Sequence, residues 1–243
     1  MKKDAPVGFF DSGLGGTCIL EAFKHVCPAE DTIYLADSAH CPYGNRPVEE
    51  LIRLSVANTE FLLEKGCKMI VVACNTATAA AIETLRAQYV GVPFIGVEPA
   101  VKPAALSSAR GIVGVLATAG TFNGRLYNET KAKFAKDVTV IAALADEFIQ
   151  LVERGETSGV QAEEIVRAKV EPLLAAGADY IVLGCTHFPH LKGLIEKVAA
   201  GRAQIIEPSE AVARQAARVL ASLDLLTTHK GTSTNHIFIR TTE

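Results

Sequence analysis

A thirteen-residue pattern recurs, weakly, at a fixed distance along this chain. Residues 62–74 read Leu-Leu-Glu-Lys-Gly-Cys-Lys-Met-Ile-Val-Val-Ala-Cys, and residues 173–185 read Leu-Leu-Ala-Ala-Gly-Ala-Asp-Tyr-Ile-Val-Leu-Gly-Cys, an offset of 111 residues throughout. Each copy carries a helix end, a glycine stop, a short buried strand and a cysteine at that strand's carboxyl end, ahead of a new helix. A looser match sets residues 7–13 against residues 113–119. So long a period exceeds any solenoid unit and predicts two related domains.

Short apolar runs at residues 7–10, 32–35, 69–73, 94–97, 112–116, 138–142, 180–183 and 204–206 do not alternate with polar positions. Between them lie amphipathic stretches, among them 47–65, 76–88, 123–135, 162–175 and 191–199. Continuous apolar strands separated by helices predict an α/β fold with parallel sheets covered on both faces. The run at 236–240 follows a polar stretch at 229–235 and reads as an edge strand returning to the first half. The expected domains are therefore 1–98 plus 209–243, and 99–208, similar in fold and related by pseudo-twofold symmetry.

Bulk properties narrow the function. A chain of 243 residues buries roughly 70–75 % of its unfolded surface and needs neither disulfides nor a metal to fold. Net charge is −3, tryptophan is absent and no basic stripe occurs, so a nucleic-acid partner is not expected. No run approaches the roughly 18–20 apolar residues of a membrane span, and the amino terminus turns polar before any signal-like core develops. The expected location is the cytoplasm, with the six cysteines as reduced thiols.

In open α/β sheets, ligands bind beyond the carboxyl ends of the strands. Residues 11–16, 74–76, 118–121 and 185–187 should sit there, and they gather two thiols, an amide, hydroxyls, a carboxylate and an imidazole. They come from both halves, so the expected active site is a cleft between the domains. Cys74 and Cys185 each precede a helix, whose N–H groups and dipole favour a thiolate. Asp11 could stand beside Cys74, and His187 lies two residues after Cys185. Two equivalent acid/base groups facing each other suit inversion of a carbon centre: one removes a proton while the other supplies one to the opposite face. Hydroxyls, Asn75 and helix N-termini would bind anions, as a dicarboxylic amino acid requires.

Other readings carry less. The Gly13-Leu14-Gly15-Gly16 turn suggests a dinucleotide site only weakly, because the third glycine of that fingerprint falls on Cys18. A single cysteine at a strand end is ordinarily packing, and it is the duplication that sets Cys74 and Cys185 apart. Cys185-Thr186-His187 could ligate a metal, yet no further Cys/His pair has ligand spacing.

These motifs resemble the aspartate/glutamate racemase superfamily, and within it the glutamate racemases. The similarity is carried by residues 10–16 (Phe-Asp-Ser-Gly-Leu-Gly-Gly), 36–44 (Ala-Asp-Ser-Ala-His-Cys-Pro-Tyr-Gly), 73–77 (Ala-Cys-Asn-Thr-Ala), 96–99 (Gly-Val-Glu-Pro), 117–121 (Ala-Thr-Ala-Gly-Thr) and 184–189 (Gly-Cys-Thr-His-Phe-Pro). The resemblance implies interconversion of L- and D-glutamate without a cofactor, supplying D-glutamate for peptidoglycan, usually by a homodimer. It implies that Cys74 acts on D-glutamate and Cys185 on L-glutamate. Asp11 and Ser12 would lie near the ammonium and Cys74, with Asp11 catalytic beside that thiol, and Tyr43 and Gly44 would hold the side-chain carboxylate through backbone groups. Asn75, Thr76 and Thr186 would hold the remaining polar groups, with Thr118 and Thr121 at the wall. His187 would assist Cys185, with Glu153 as an auxiliary acid. The chain departs from the family pattern at Ala143-Leu144, where members often carry Cys-Pro, at Gly124, often Ser, and at His40, often Arg. The alternatives are an aspartate or other amino-acid racemase, a catalytically silent small-molecule binding module, and a thiol-redox protein.

Overall fold

The computed structural model describes residues 2–242. They divide into two compact units, one running up to Val97 and resuming at Ser209, the other spanning Glu98–Pro208.

The first unit begins with β1 (Val7–Asp11), α1 (Thr17–Val26), β2 (Thr32–Ala36), α2 (Val48–Glu64), β3 (Met69–Val72), α3 (Asn75–Gln88) and β4 (Phe94–Gly96). The second contains α4 (Val101–Ser107), β5 (Ile112–Ala117), α5 (Ala119–Asn123), α6 (Arg125–Phe134), β6 (Thr139–Leu144), α7 (Glu147–Glu153), α8 (Val160–Ala175), β7 (Tyr180–Leu183), α9 (Lys192–Ala199) and β8 (Gln204–Ile206). The chain then returns to the first unit with α10 (Ser209–Ser222) and β9 (His236–Arg240).

All strand pairs are parallel, in the order β4-β3-β1-β2-β9 in the first sheet and β6-β5-β7-β8 in the second. The sequence repeat reappears in this topology. β3 pairs with β1 in the first unit, and its counterpart β7 pairs with β5 in the second. Both copies also end the preceding helix in the same way. Gly66 and Gly177 take φ of +82° and +90°, a conformation that costs glycine little. Gly66 N donates to Leu63 O and Cys67 N to Leu62 O; Gly177 N donates to Leu174 O and Ala178 N to Leu173 O. That is the Schellman closure, which satisfies the last helical carbonyls and aims the chain into the next strand.

Helices cover both faces of each sheet. On one face of the first, Phe9, Tyr34 and Val71 pack with Ile19, Leu20 and Phe23 of α1 and Val212, Ala213 and Ala216 of α10. α2 and α3 cover the other face with buried Leu51, Leu54, Ala81 and Leu85. In the second unit Val113, Val115 and Val182 pack with Val101 and Ala104 of α4 and Tyr127 of α6. A Cβ at Gly114 would meet Leu173 of α8 at 2.8 Å, so that helix lies directly on β5.

β9 forms the outer edge of the first sheet, with Phe238 stacked on Tyr34 at 5.2 Å. At the amino end of β3, Lys68 pairs with Glu30 at 2.5 Å in full burial. Glu30 also accepts from Thr227 N at 2.8 Å, and Lys68 donates to the Lys3 carbonyl. Buried charges persist only when satisfied in this way. Among the described residues no helix is long and apolar enough to cross a membrane.

Candidate active site

In the first unit, β1 delivers Asp11 and β3 delivers Cys74 to neighbouring strand ends; Ala73 N donates to Phe10 O at 2.8 Å and extends the ladder to that point. Cys74 is extended (φ −138°, ψ 122°) and caps α3, its Sγ accepting from Ala77 N at 3.5 Å. The sulfur thus takes the place of a capping hydroxyl at the positive end of a 14-residue helix, where negative charge is favoured.

Asp11 is fully buried, and Gly16 N donates to its Oδ2 at 2.7 Å while Ser12 Oγ lies 3.5 Å from Oδ1. The glycine-rich turn therefore spends an amide on Asp11. It also lies tight against the thiol's strand. A Cβ at Gly16 would come within 2.8 Å of Ala73 Cβ, Ala73 O and Tyr34 Oη, and Tyr34 donates to Gly13 O at 2.9 Å.

Asn75 and Thr76 occupy the first turn of α3 and are buried. Neither polar atom of the Asn75 side chain has a hydrogen-bond partner within the described residues. A buried amide left so costs about 1–3 kcal/mol, which a bound polar ligand can recover.

Tyr43 is buried, its hydroxyl donating to Asp37 Oδ2 at 2.5 Å and accepting from Asn58 Nδ2 at 3.1 Å. Burial first, then the Asp37 carboxylate, push its phenol well above the ordinary tyrosine range, so it stays protonated. The hydroxyl is committed to these partners. The backbone N–H groups of Tyr43 and Gly44 enter no backbone hydrogen bond among the described residues, and both residues are buried.

In the second unit, Thr118 caps α5 and accepts from Thr121 N at 3.4 Å. The two threonine hydroxyls lie 3.2 Å apart, and Thr121 Oγ1 donates to Gly184 O at 3.5 Å, tying the ends of β5 and β7 together. Cys185 follows Gly184, with Thr186 and His187 buried beside it. Cys185 Sγ lies 3.8 Å from His187 Nδ1, and His187 Nε2 lies 2.8 Å from Glu153 Oε1. α7, which ends at Glu153, is held to the segment after Cys185 by an edge-to-face contact of Phe148 and Phe188 at 5.1 Å.

The sequence predicts a helix N-terminus directly behind each thiol, and the structure differs at the second. Cys185 does not open a helix as Cys74 does. Residues 188–191 form a 3₁₀ turn, and α9 starts only at Lys192. The second thiol therefore has an imidazole and a carboxylate behind it where the first has a helix end. Asp37, just past β2, is a residue to which the sequence assigns no role; it collects Tyr43, His40 (Nδ1 at 2.8 Å) and Thr241 (Oγ1 at 3.1 Å). Its place just beyond a strand's carboxyl end was the signal available in the sequence.

Comparison with known proteins bears on this geometry. A family model described as Asp/Glu/Hydantoin racemase matches residues 17–216. A glutamate racemase from Herpetosiphon aurantiacus is 46 % identical over 224 residues, covering 92 % of this chain and 88 % of that protein. Among solved structures, glutamate racemase from Francisella tularensis in complex with D-glutamate superposes with a TM-score of 0.85 at 28 % identity, over 99 % of this chain and 89 % of that one. The Escherichia coli glutamate racemase, in complex with L-glutamate and the activator UDP-MurNAc-Ala, gives 0.85 at 30 % identity, over 97 % and 88 %. With sequence and fold in agreement, the chain belongs to the Asp/Glu/Hydantoin racemase family, and within it to the glutamate racemases.

Proposed function

We infer that the protein interconverts L- and D-glutamate by direct proton transfer at Cα, with Cys74 and Cys185 as the two acid/base groups. The observation that carries this reading is the equivalent position of the two thiols, each just past the strand that pairs with β1 or β5. The naming of the relatives and the binding of both glutamate enantiomers by similar structures support the substrate.

From D-glutamate, the Cys74 thiolate takes the Cα proton and becomes a thiol, while the Cys185 thiol gives its proton to the opposite face and becomes a thiolate. From L-glutamate the roles exchange. Each turnover leaves the two sulfurs with interchanged protonation, as a reaction between mirror images requires. Reaching one Cα from both sides is the geometric requirement of this scheme. The Cα proton is very weakly acidic, so charge developing on the substrate needs preorganised donors. Asn75, Thr76, Thr118, Thr121 and Thr186 are assigned to that work, with Asp11 and Ser12 at the ammonium. Tyr43 and Gly44 are assigned to the side-chain carboxylate through their N–H groups. His187, backed by Glu153, is assigned to proton traffic at Cys185. No cofactor takes part in this scheme. Family membership supports a homodimer in the bacterial cytoplasm that supplies D-glutamate for peptidoglycan.

Circular dichroism of L-glutamate and of D-glutamate with the enzyme tests the reading: both signals should decay to zero. In heavy water, Cα of the product should carry deuterium. A parallel run with aspartate should be slower by orders of magnitude. A static signal with glutamate, or faster aspartate turnover, would reject it.

A further inference from the structure

We propose that Thr241, just past β9, is a positioning residue for the segment 38–44; the proposal rests on the reading above, which assigns Tyr43 and Gly44 to the substrate's side-chain carboxylate. Thr241 Oγ1 accepts from Ala39 N at 3.0 Å and donates to Asp37 Oδ1 at 3.1 Å, while Thr241 N donates to Ala36 O at 2.9 Å. One hydroxyl thereby uses its donor and an acceptor lone pair on two different parts of the segment's root.

Asp37 is the hub that transmits this. It is buried, and its other oxygen receives the Tyr43 hydroxyl at 2.5 Å. Next to Thr241, Arg240 Nε donates to Ser38 Oγ at 2.9 Å. The carboxyl-terminal strand thus holds the start of the segment directly, and holds its far end through Asp37 and Tyr43. These contacts involve neither thiol. Without the Thr241 hydroxyl, the Ala39 N–H and one oxygen of a buried carboxylate each lose a partner, and the Tyr43-Gly44 backbone loses its fixed placement. A loosened grip on a distant carboxylate weakens ground state and transition state alike, which raises KM and leaves kcat unchanged.

Racemisation in both directions is measured for wild type, Thr241→Val and Thr241→Ser, with thermal melts of each. Thr241→Val, which keeps the shape and deletes the hydroxyl, should raise KM for both enantiomers by about fivefold or more with kcat within about twofold. Thr241→Ser should return KM to near the wild-type value, and all three melts should coincide within a few degrees. Wild-type KM in Thr241→Val overturns the proposal. So does a loss confined to kcat, a serine variant no better than valine, or a KM change that tracks a lowered melting point. A wild-type chain that fails to racemise glutamate fails the functional reading itself, a separate result read from a different sample.

Discussion

The imidazole of His187 and the carboxylate of Glu153 meet at 2.8 Å, with His187 buried and the Glu153 side chain 15 % exposed. The carboxylate fixes the ring by its Nε2 edge, leaving Nδ1 directed to Cys185. Under the proposed scheme Glu153 acts at one remove from the chemistry. Glu153→Gln should lower kcat/KM by about 10–100-fold, less than the 10²–10⁴-fold a proton-transferring group itself contributes. Because enantiomers have an equilibrium constant of one, kcat/KM must fall equally in both directions. The asymmetry should show instead in the primary isotope effect, which should rise most in the direction where Cys185 abstracts the proton. Unchanged kcat/KM would remove Glu153 from the proton path.

Cys74→Ala and Cys185→Ala should each abolish inversion while leaving the far-ultraviolet dichroism of the fold unchanged. They should differ in what remains. With Cys185 absent, the Cys74 thiolate can still remove and return a proton on one face, so D-glutamate should exchange its Cα proton for deuterium slowly without changing hand. The mirror result holds for L-glutamate with Cys74 absent. Proton magnetic resonance in heavy water reads both. Inversion near the wild-type rate in either variant would refute the two-thiol assignment.

Gly16→Ala places a methyl group 2.8 Å from the Ala73 carbonyl, a backbone atom that cannot swing aside. The turn must shift, taking with it the N–H that holds Asp11. The expected cost is about 1–3 kcal/mol of stability, the usual range for overpacking, with a larger loss of activity than of stability. Urea titration and racemisation assays on the same preparation separate the two. Full activity in a destabilised variant would show that the turn's exact position is immaterial to the chemistry.

Burial pushes the Cys67 thiol up from 9.0 to about 12. Its native state favours the protonated form, so its contribution to stability is fully present below the unfolded thiol's value near 9. That contribution is lost as pH rises through about 12, since only the unfolded chain ionises in between. Wild type should therefore lose stability between about pH 9 and 12 more steeply than Cys67→Ala, although the variant starts lower because its side chain leaves a small cavity. Denaturant midpoints at pH 8, 10 and 11 would show parallel curves if the thiol played no part. At pH 8 the native thiol should also resist alkylation until the chain unfolds.

The parallel sheets could be read from the sequence because unbroken apolar runs between helices have few other solutions. The strands at Tyr180–Leu183, Gln204–Ile206 and His236–Arg240 coincide with the expected runs. The helix expected over residues 123–135 is α6, which starts two residues later because Gly124 adopts an extended backbone (φ −67°, ψ 139°); the short α5 ahead of it has no counterpart among the expected stretches. Apolar periodicity does not register a single-residue break. The thiols stood out through repetition, and His187 through its nearness in sequence to Cys185. Glu153 entered by resemblance alone, because it reaches His187 across 34 residues of chain. The Asp37–Thr241 contact spans 204 residues. No local pattern encodes such a pairing, and only the register of β9 against β2 creates it.

That register has a consequence for synthesis of the chain. Glu98–Pro208 is an unbroken stretch, so the second unit is complete once Pro208 has left the ribosome. The first unit is not. Its α10 and β9 are translated after the second unit, and until then the outer edge of β2 lies open, an invitation to mispairing that grows with every pause. The interrupted half is completed only after the uninterrupted one, and α10 and β9 are the elements that close it.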